Sequence, residues 1–578
     1  MAPTDQLQEV KIMLHGTAAS EGIGIGKVML IEEHSLEYTP RTVTDTEAES
    51  QRFKAAVDAF CYNTEKQAEN LRSSAGEKEA EILAGHIQII KDPYLSGEIE
   101  KLIADGQCAE SALEHMCDMF IAMFSAADDE LTKQRAADVR DIKSGVLGIL
   151  LGVNEIKVSD APKGTVLVAR ELTPSVTAGI VKENIAGIIT ETGGTTSHSA
   201  ILARALEIPA VLSVEGVASS LKNGDTVVVD GSEGAVIVNP DDNTVAEYSK
   251  KRDAFLAERK ELENYRGRET KSASGEAYEL FCNIGKPEDA VKAVDADGEG
   301  VGLFRTEFLF MDRTSIPTED EQFDAYKKAA LILKGKSLII RTLDIGGDKD
   351  IPYLGLEKEE NPFMGFRAIR YCLKNRELFK SQIKAILRAS AFGDVKIMFP
   401  LITTMDELRE GKKLVAECKA DLRNMGINFN ENIQVGVMVE TASAAVIADM
   451  LAKEADFFSI GTNDLTGYTM ACDRGNNDVS YLYSPLQPSV LRMIKRTIEC
   501  GVQNGISVGM CGEAAANKLM IPLLISFGLT EFSVSAPSVL NVRKIISTWT
   551  KEEADKVTAK VLEMSTQQEI VEYLKSVV

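Results

Sequence analysis

One of the five histidines differs from the others in its surroundings. His198 follows two glycines and a run of hydroxyl residues in GGTTSHSAILARAL, and a helical pattern begins directly after it. This arrangement predicts a position near a helix N-terminus, where free N–H groups and the helix dipole favour an anion. A neutral imidazole there could attack phosphorus and hold the phosphate it receives. A structural histidine in a glycine-rich loop is the alternative that the residue types leave open.

Arginines and carboxylates recur directly after apolar runs in the second half of the chain. Guanidinium groups bind phosphate and carboxylate through paired hydrogen bonds, and a divalent cation on carboxylates is their usual companion in phosphoryl transfer. For each residue taken singly, a surface ion pair is the competing interpretation. Their common placement favours one shared site. The residues placed in this way are Arg305, Arg341, Arg367, Glu440, Asn463, Asp464 and Arg474.

The elements that must position these residues are short strands separated by helical stretches. The apolar runs include GVGLFRTEF, KSLIIRTLDIGG, VKIMFPLI, IQVGVMVET, ADFFSIGTNDL, ISVGMCGE and EFSVSA. Alternation of β and α over about 300 residues, with polar residues at the strand C-termini, is the pattern of a (β/α)8 barrel. We therefore expect the candidate residues to converge at one mouth of a barrel.

The first half of the chain has a different organisation. Short apolar runs split by Gly, Asn and Asp predict an α/β domain from residues 1–30 and 146–242. Helical spacing rich in Ala, Glu, Lys and Leu predicts a helical bundle inserted at 31–145. A charged stretch predicts a linker helix at 243–270, followed by the barrel at 271–578. The expected fold class is multidomain α/β.

Composition narrows the classes of partner. The 88 acidic and 64 basic residues give a net charge of −24, which repels nucleic acid and anionic membranes and suits a basic partner. An acidic surface that serves only solubility is the alternative. The sequence shows no apolar run of the ~20 residues a bilayer span needs and no signal-peptide pattern, so a cytoplasmic protein is expected. Nine scattered cysteines without a C-x-x-C pair predict neither a disulfide framework nor a zinc site.

Several long strings resemble one family of enzymes. GGTTSHSAILARALEIPAV is similar to the phosphohistidine motif shared by enzyme I of the bacterial sugar phosphotransferase system, phosphoenolpyruvate synthase and pyruvate phosphate dikinase. The upstream string ELTPSVTA resembles the same family. Residues 270–578 resemble the phosphoenolpyruvate-binding barrel of enzyme I nearly end to end. GEKEAEILAGHIQIIKDP and QRAADVRDI resemble the module on which enzyme I docks the phosphocarrier protein HPr.

The resemblance to enzyme I implies a function and a set of roles. It implies that phosphoenolpyruvate phosphorylates His198, that HPr then takes the phosphate, and that pyruvate is released. It also implies Mg²⁺ as cofactor and a homodimer formed through the barrel. The implied roles are substrate binding for Arg305, Arg341, Asn463, Asp464 and Arg474, metal binding for Glu440 and Asp464, support for Thr177 and Arg367, and proton donation to the enol carbon for Cys511.

Other interpretations remain at this point. GIGIGK at 22–27 lacks the spacing of a nucleotide-binding loop, because Val28 follows Lys27. A synthase fragment working with a separate nucleotide subunit is one rival, and a sensor that binds phosphoenolpyruvate and carrier without turnover is another. In the helical insert, Glu77, Glu79 and Glu81 could meet a basic partner or could simply be solvated.

Overall fold

The computed structural model describes residues 12–31, 36–74, 77–126, 130–153, 158–177, 179–194, 197–311, 313–346, 351–473 and 476–578. It describes the backbone alone for residues 70–71, 73–74, 77–82, 130–134, 174–175, 198, 352 and 477. The chain forms two compact units, Met1–Arg259 and Lys260–Val578.

The first unit is built on a mixed sheet. Its described strands are β1 (Ile12–His15), β2 (Thr17–Ser20), β3 (Ile23–Ile31), β4 (Thr165–Ala169), β5 (Ile185–Thr190), β6 (Ala210–Leu212), β7 (Thr226–Asp230) and β8 (Ala235–Val238). The sheet order is β1-β8-β7-β3-β4-β5-β6-β2, with β3 to β6 parallel and the other pairs antiparallel. All five residues of β4 (TVLVA) are buried, as expected for a central strand covered on both faces.

The helices of the first unit fall into two groups. The described helices are α1 (Thr46–Ser74), α2 (Glu77–Ile90), α3 (Pro93–Ala104), α4 (Ala109–Ser125), α5 (Glu130–Leu151), α6 (Pro174–Thr177), α7 (His198–Leu206), α8 (Val217–Ser220) and α9 (Asp242–Leu262). Helices α1, α3, α4 and α5 share a hydrophobic core of their own. Helix α7 instead buries Ala200, Leu202, Ala203 and Leu206 in a core that includes β4 to β6. The connection β5–α7–β6 therefore places His198 after the C-terminal end of a parallel strand.

The second unit is a closed barrel of eight parallel strands. In chain order they are β9 (Glu279–Ile284), β10 (Gly300–Arg305), β11 (Ser337–Arg341), β12 (Val395–Phe399), β13 (Val435–Val439), β14 (Phe457–Ile460), β15 (Ser507–Met510) and β16 (Glu531–Val534). β9 pairs with both β10 and β16, which closes the ring. The predicted multidomain α/β class with a (β/α)8 barrel is confirmed.

Helices surround the barrel, and several begin where the sequence carries a capping box. In α11, Thr318 accepts a hydrogen bond from the backbone N–H of Glu321 at 3.2 Å, and the Glu321 side chain accepts one from the Thr318 N–H at 2.7 Å. The described helices of this unit are α10 (Asp289–Asp295), α11 (Glu319–Leu333), α12 (Ala368–Lys374), α13 (Arg376–Ala389), α14 (Met405–Asn424), α15 (Ala442–Val446), α16 (Ala448–Leu451), α17 (Thr462–Met470), α18 (Pro488–Gln503), α19 (Ile521–Phe527), α20 (Val539–Thr548), α21 (Lys551–Glu563) and α22 (Gln567–Val577). Within the described ranges, none of the helices in either unit combines the length and apolarity that a bilayer span requires.

Alternate residues of each barrel strand face opposite sides, as the pleat requires. One set packs outward against the helices in a single large core. The other set fills the interior, where Leu303, Ile339, Met398, Met438, Phe457 and Cys511 form a separate apolar cluster. Inward-facing residues within the strands therefore lie in the barrel interior, and the residues at or just after the strand C-termini lie at the C-terminal mouth.

The segment after α9 is fastened to the barrel. Arg543 on α20 is 2% exposed and donates hydrogen bonds to the Tyr265 carbonyl and the Thr270 hydroxyl, each at 3.0 Å. Arg543 also binds both the side chain and the carbonyl of Asp297. The last part of the stretch that the sequence predicted as linker thus lies within the second unit.

Candidate active site

Three carboxylates meet at the C-terminal mouth of the barrel. Glu440 follows β13 directly, Asp464 lies in the first turn of α17, and Asp344 comes three residues after β11. One oxygen from each lies within 4.8 Å of the others. An all-oxygen donor set of this kind fits a hard divalent cation.

Two buried arginines bind the same carboxylates. Arg341 ends β11 and donates to Asp344 at 2.9 Å and to Glu307 at 2.8 Å. Arg367, which precedes α12, donates to Asp344 at 2.8 Å and to Asp464 at 3.3 Å. Their exposed fractions are only 8% and 7%. The pairs are therefore held in a largely desolvated site, where charge interactions are strong.

Some of the polar atoms at this mouth have no partner among the described residues. They are Arg341 Nε, Arg367 Nη1 and Glu307 Oε2, all of them buried. Buried polar groups in proteins are normally hydrogen-bonded, so each unpartnered atom calls for a ligand or solvent. Two guanidinium donors that face the same mouth suit a small anion rich in phosphate and carboxylate oxygens.

Glu440 is the most strongly perturbed of the carboxylates. Burial raises its pKa to about 8, the charges of Asp464 and Asp344 add to the rise, and Arg341 and Arg367 oppose it. One Glu440 oxygen accepts a hydrogen bond from the Leu401 backbone at 2.7 Å. A cation bound between Glu440, Asp464 and Asp344 would favour the charged carboxylate form of Glu440 and would offset the repulsion among the three. The three residues therefore fit a metal site.

Cys511 follows β15 and is 4% exposed. Burial raises the pKa of its thiol to about 11, and the Ser459 hydroxyl partly opposes that rise. A thiol with this pKa carries its proton at neutral pH and can deliver it to carbon. The Asn283 amide donates to the Cys511 carbonyl at 3.1 Å and fixes the backbone of the turn.

The other predicted barrel residues are placed as follows. Arg305 ends β10, is exposed, and is paired in register with Arg341 on β11. Asn463 precedes Asp464 in α17, and its carbonyl accepts the Tyr483 hydroxyl at 3.0 Å. Arg474 lies outside the described residues. The structure thus brings together Arg341, Arg367, Glu440 and Asp464.

The sequence interpretation missed Asp344 and Glu307. Asp344 contacts both arginines and completes the carboxylate group, and Glu307 binds Arg341. A signal was present in the sequence, because an acidic residue follows shortly after the strand-ending arginine in both RTEF and RTLD. Asp344 pairs with the arginine of its own motif, whereas Glu307 pairs with Arg341 on the neighbouring strand.

His198 and Thr177 belong to the first unit. His198 is the first residue of α7, and Ser197 caps this helix by accepting the Ala200 N–H at 3.3 Å. Thr177 is the last residue of α6, is 1% exposed, and lies on an element that packs against α7. The Ser199 hydroxyl donates to the Leu172 carbonyl at 3.3 Å, which ties the start of α7 to the segment before α6. His198 therefore sits at a capped helix N-terminus, the setting that favours an anion.

The helical insert exposes apolar side chains on one side. Met119 and Met123 on α4 are 46% and 55% exposed, and Tyr94 on α3 is 60% exposed. The Tyr94 ring contacts Phe120 with ring centroids 6.3 Å apart. We call Tyr94, Met119, Phe120 and Met123 the α3–α4 patch. The side chains of Glu77, Glu79 and Glu81 lie outside the described residues.

Comparison with known proteins covers nearly the whole chain. Family models match at residues 15–135 (PEP-utilising enzyme, N-terminal), 161–234 (PEP-utilising enzyme, mobile domain) and 259–550 (PEP-utilising enzyme, PEP-binding domain). The phosphoenolpyruvate-protein phosphotransferase of Bacillus subtilis (strain 168) is 47% identical over 98% of this chain and 99% of its own length. The protein of the same name from Priestia megaterium is 45% identical over 97% and 98%. A solution structure of Enzyme I (nEIt) is 37% identical, with a TM-score of 0.38, over 42% of this chain and 99% of that one.

Proposed function

The chain belongs to the phosphoenolpyruvate-protein phosphotransferase family, and on that premise we propose that it phosphorylates itself from phosphoenolpyruvate and passes the phosphate to the carrier protein HPr. One observation carries the proposal. Two buried arginines and three carboxylates meet at the C-terminal mouth of the barrel, in the residues matched by the PEP-binding domain. This is the set of groups that a small phosphorylated trianion and its divalent cation need.

In the proposed reaction, Arg341 and Arg367 bind and orient phosphoenolpyruvate, with Arg305, Asn463 and Arg474 as further substrate contacts. Glu440, Asp464 and Asp344 would hold Mg²⁺, which would supply charge neutralisation on the transferring phosphoryl group. His198 attacks phosphorus, supported by Thr177, and the P–O bond to the enolate breaks. Cys511 donates its proton to the methylene carbon, which gives pyruvate.

Each part of the chain has a proposed role. We assign carrier docking to the helical insert at 31–145, phosphohistidine chemistry to 1–30 and 146–242, and substrate binding and homodimer formation to 271–578. The stretch predicted as linker at 243–270 connects these parts, with its residues from Lys260 onward belonging to the second unit. A cytoplasmic location remains a prediction from the sequence.

The direct test is to mix the protein with phosphoenolpyruvate, Mg²⁺ and HPr and to follow pyruvate release. We expect turnover that depends on all three additions. Labelling of the protein from ATP in place of phosphoenolpyruvate would favour the synthase alternative, and binding of phosphoenolpyruvate without pyruvate release would favour the sensor.

The carboxylate group gives a prediction about the metal. Asp344→Asn should raise the Mg²⁺ concentration needed for half-maximal pyruvate release by roughly 10- to 100-fold, because it removes a charged oxygen ligand and loosens both arginines. Asp449→Asn is the matched control, since the Asp449 side chain on α16 is half exposed and pairs only with Arg496, at 2.8 Å, among the described contacts. An unchanged Mg²⁺ requirement in Asp344→Asn would remove this residue from the metal site.

The α3–α4 patch gives a prediction about the carrier. Exposed apolar side chains beside acidic residues such as Asp118 suit a partner with an apolar and basic face. Met123→Asp should raise the KM for HPr by about 10-fold, equivalent to about 1.4 kcal/mol of lost binding energy. Phosphorylation of His198 by phosphoenolpyruvate alone should be unchanged. Met425→Asp, at a 64% exposed methionine of the barrel, is the control, and an equal effect there would contradict the assignment.

A further inference from the structure

An asparagine inside the barrel holds the backbone of the proposed proton donor. Asn283 lies on β9, and its side chain faces the interior, because its neighbours Cys282 and Ile284 pack outward in the core shared with the helices. The Asn283 Nδ2 atom donates one hydrogen bond to the Cys511 carbonyl at 3.1 Å and another to the Ser533 carbonyl at 3.2 Å. Asn283 thereby connects β9 to β16 and, across β16, to the end of β15.

The amide group of Asn283 fits these partners in only one orientation. Its Oδ1 atom accepts a hydrogen bond from the Ser533 hydroxyl at 2.7 Å. Two backbone carbonyl oxygens face the Nδ2 atom, and a carbonyl oxygen can only accept hydrogen bonds. A reversed amide would place Oδ1 against both carbonyl oxygens. The donor atoms of Asn283 are therefore kept on the Cys511 side.

The other side of Cys511 is held by the neighbouring strand. The Cys511 N–H donates to the carbonyl of Ile460, the last residue of β14, at 3.2 Å. The next residue, Gly512, packs so closely on the start of α17 that a Cβ atom there would overlap the Thr462 hydroxyl. Cys511 is thus held at its N–H by β14 and at its carbonyl by Asn283, and the turn has no space to shift towards α17.

The position of the backbone decides where the thiol lies. A cysteine has a single side-chain torsion before its sulfur, so the sulfur moves with the main chain that carries it. The Cys511 thiol contacts the Ile460 carbonyl at 3.7 Å and packs in the apolar cluster with Leu303 and Met438. Reacting atoms must approach to about 3–3.5 Å with the correct alignment for efficient transfer. A loosened carbonyl would therefore move the thiol out of reach of its target.

We propose that Asn283 is a positioning residue for the proton transfer that completes the reaction. By holding the Cys511 carbonyl, it keeps the thiol within reach of the methylene carbon of the enolate. In this step the Sγ–H bond breaks, a C–H bond forms, and the thiolate regains a proton from water before the next turnover. The inference rests on the proposed function, in which Cys511 is the acid. Asn283 acts through Cys511 and does not touch the substrate.

Asn283→Asp keeps the shape of the side chain but replaces the donor with an oxygen that the two carbonyls repel. In rapid-quench experiments with phosphoenolpyruvate and Mg²⁺, pyruvate formation should slow roughly 10- to 100-fold, because a misplacement of about 1 Å has an effect of that order. Phosphoenolpyruvate affinity, measured by calorimetry in a His198→Ala background, should change less than about twofold, since Arg341 and Arg367 keep their partners.

Ser533→Ala is a milder variant that leaves both donor bonds of Asn283 in place. It removes only the hydrogen bond to Oδ1, so pyruvate formation should slow roughly threefold, as expected for one neutral hydrogen bond. Phosphoenolpyruvate affinity should again be unchanged. This variant decides the question if Asn283→Asp does not fold, and a wild-type rate in Ser533→Ala would then overturn the proposal.

A double-mutant cycle separates positioning from general damage to the barrel. If Asn283 acts through the thiol, Asn283→Asp should cause no further loss in a Cys511→Ala background, where only solvent protonates the enolate. Losses that multiply in the double variant would overturn the proposal. An unchanged rate in Asn283→Asp, or a loss of phosphoenolpyruvate affinity as large as the loss of rate, would do the same.

Asn375→Asp is the matched control. Asn375 is also half-buried, and its amide donates to the Tyr371 carbonyl at 3.0 Å, but it lies between the outer helices α12 and α13. Pyruvate formation should be unchanged in this variant, and a loss equal to that of Asn283→Asp would contradict the inference. A wild-type rate in Cys511→Ala would overturn the role of Cys511 and this inference with it. A wild type that forms no pyruvate would instead overturn the proposed function itself.

Discussion

Protein carrying His198→Ala should contain no acid-labile phosphate after incubation with phosphoenolpyruvate and Mg²⁺. The substitution removes the only histidine that the sequence places in a glycine- and hydroxyl-rich loop before a helix. Helix α7 should persist, because its cap comes from Ser197 and its buried face from Ala200 and Leu206. Phosphate content, measured by intact-protein mass spectrometry under alkaline conditions, should fall from about one group per chain to zero.

The appropriate control for this experiment is His115→Ala. His115 lies on α4 and is exposed, so its loss should change neither fold nor phosphorylation. His86 is a poorer control, because it is 1% exposed and its Nε2 atom lies 3.4 Å from Asp138 Oδ1. Its replacement would disturb the packing of the helical insert. Persistent acid-labile label on His198→Ala would move the phosphorylated site elsewhere.

The barrel could be predicted because its strands are short and apolar and most of the apolar runs lead into polar or charged residues. Arg341 and Glu440 were found in this way, since both lie at or directly after a strand C-terminus. Side chains of each strand point alternately into the barrel and towards the helices. Which residues from different strands meet inside the barrel depends on the register between neighbouring strands. The sequence pattern therefore locates residues at the mouth better than it identifies their partners.

The pairings at the mouth could not be predicted from local spacing. Arg367 contacts Asp464, 97 positions away along the chain, and the two residues follow different strands of the barrel. Asp344 lies in an irregular segment after β11, where neither helical nor strand periodicity marks a buried residue.

The boundary between the units is a further point that the sequence pattern leaves imprecise. Charge and helical spacing continue through residue 270, but Arg543 binds the carbonyl of Tyr265 and the hydroxyl of Thr270. A cut near Tyr265 would remove part of this network from the barrel. A cut between Arg259 and Lys260 leaves it intact and also keeps the Arg259–Glu207 ion pair within the first unit.

Separating the chain at that point should divide the reaction into two halves. The fragment of residues 1–259 should accept phosphate from phosphorylated HPr onto His198, because this step needs only the dock and the nucleophile. It should be inert towards phosphoenolpyruvate at any concentration, since the arginines and carboxylates of the candidate site all lie after residue 300. Phosphate transfer is measured by radiolabel from phosphorylated HPr, with the His198→Ala fragment as control.

The fragment of residues 260–578 should show the complementary behaviour. It should bind phosphoenolpyruvate in the presence of Mg²⁺, as measured by calorimetry, because it retains Arg341, Arg367 and the three carboxylates. It should stay unphosphorylated at histidine, since the chain has no histidine after residue 198. Asp344→Asn in this fragment should weaken that binding, which separates a metal-dependent site from non-specific anion binding. Transfer of phosphate from phosphoenolpyruvate to the fragment of residues 1–259 alone would show that nucleophile and substrate site are not divided between the two units.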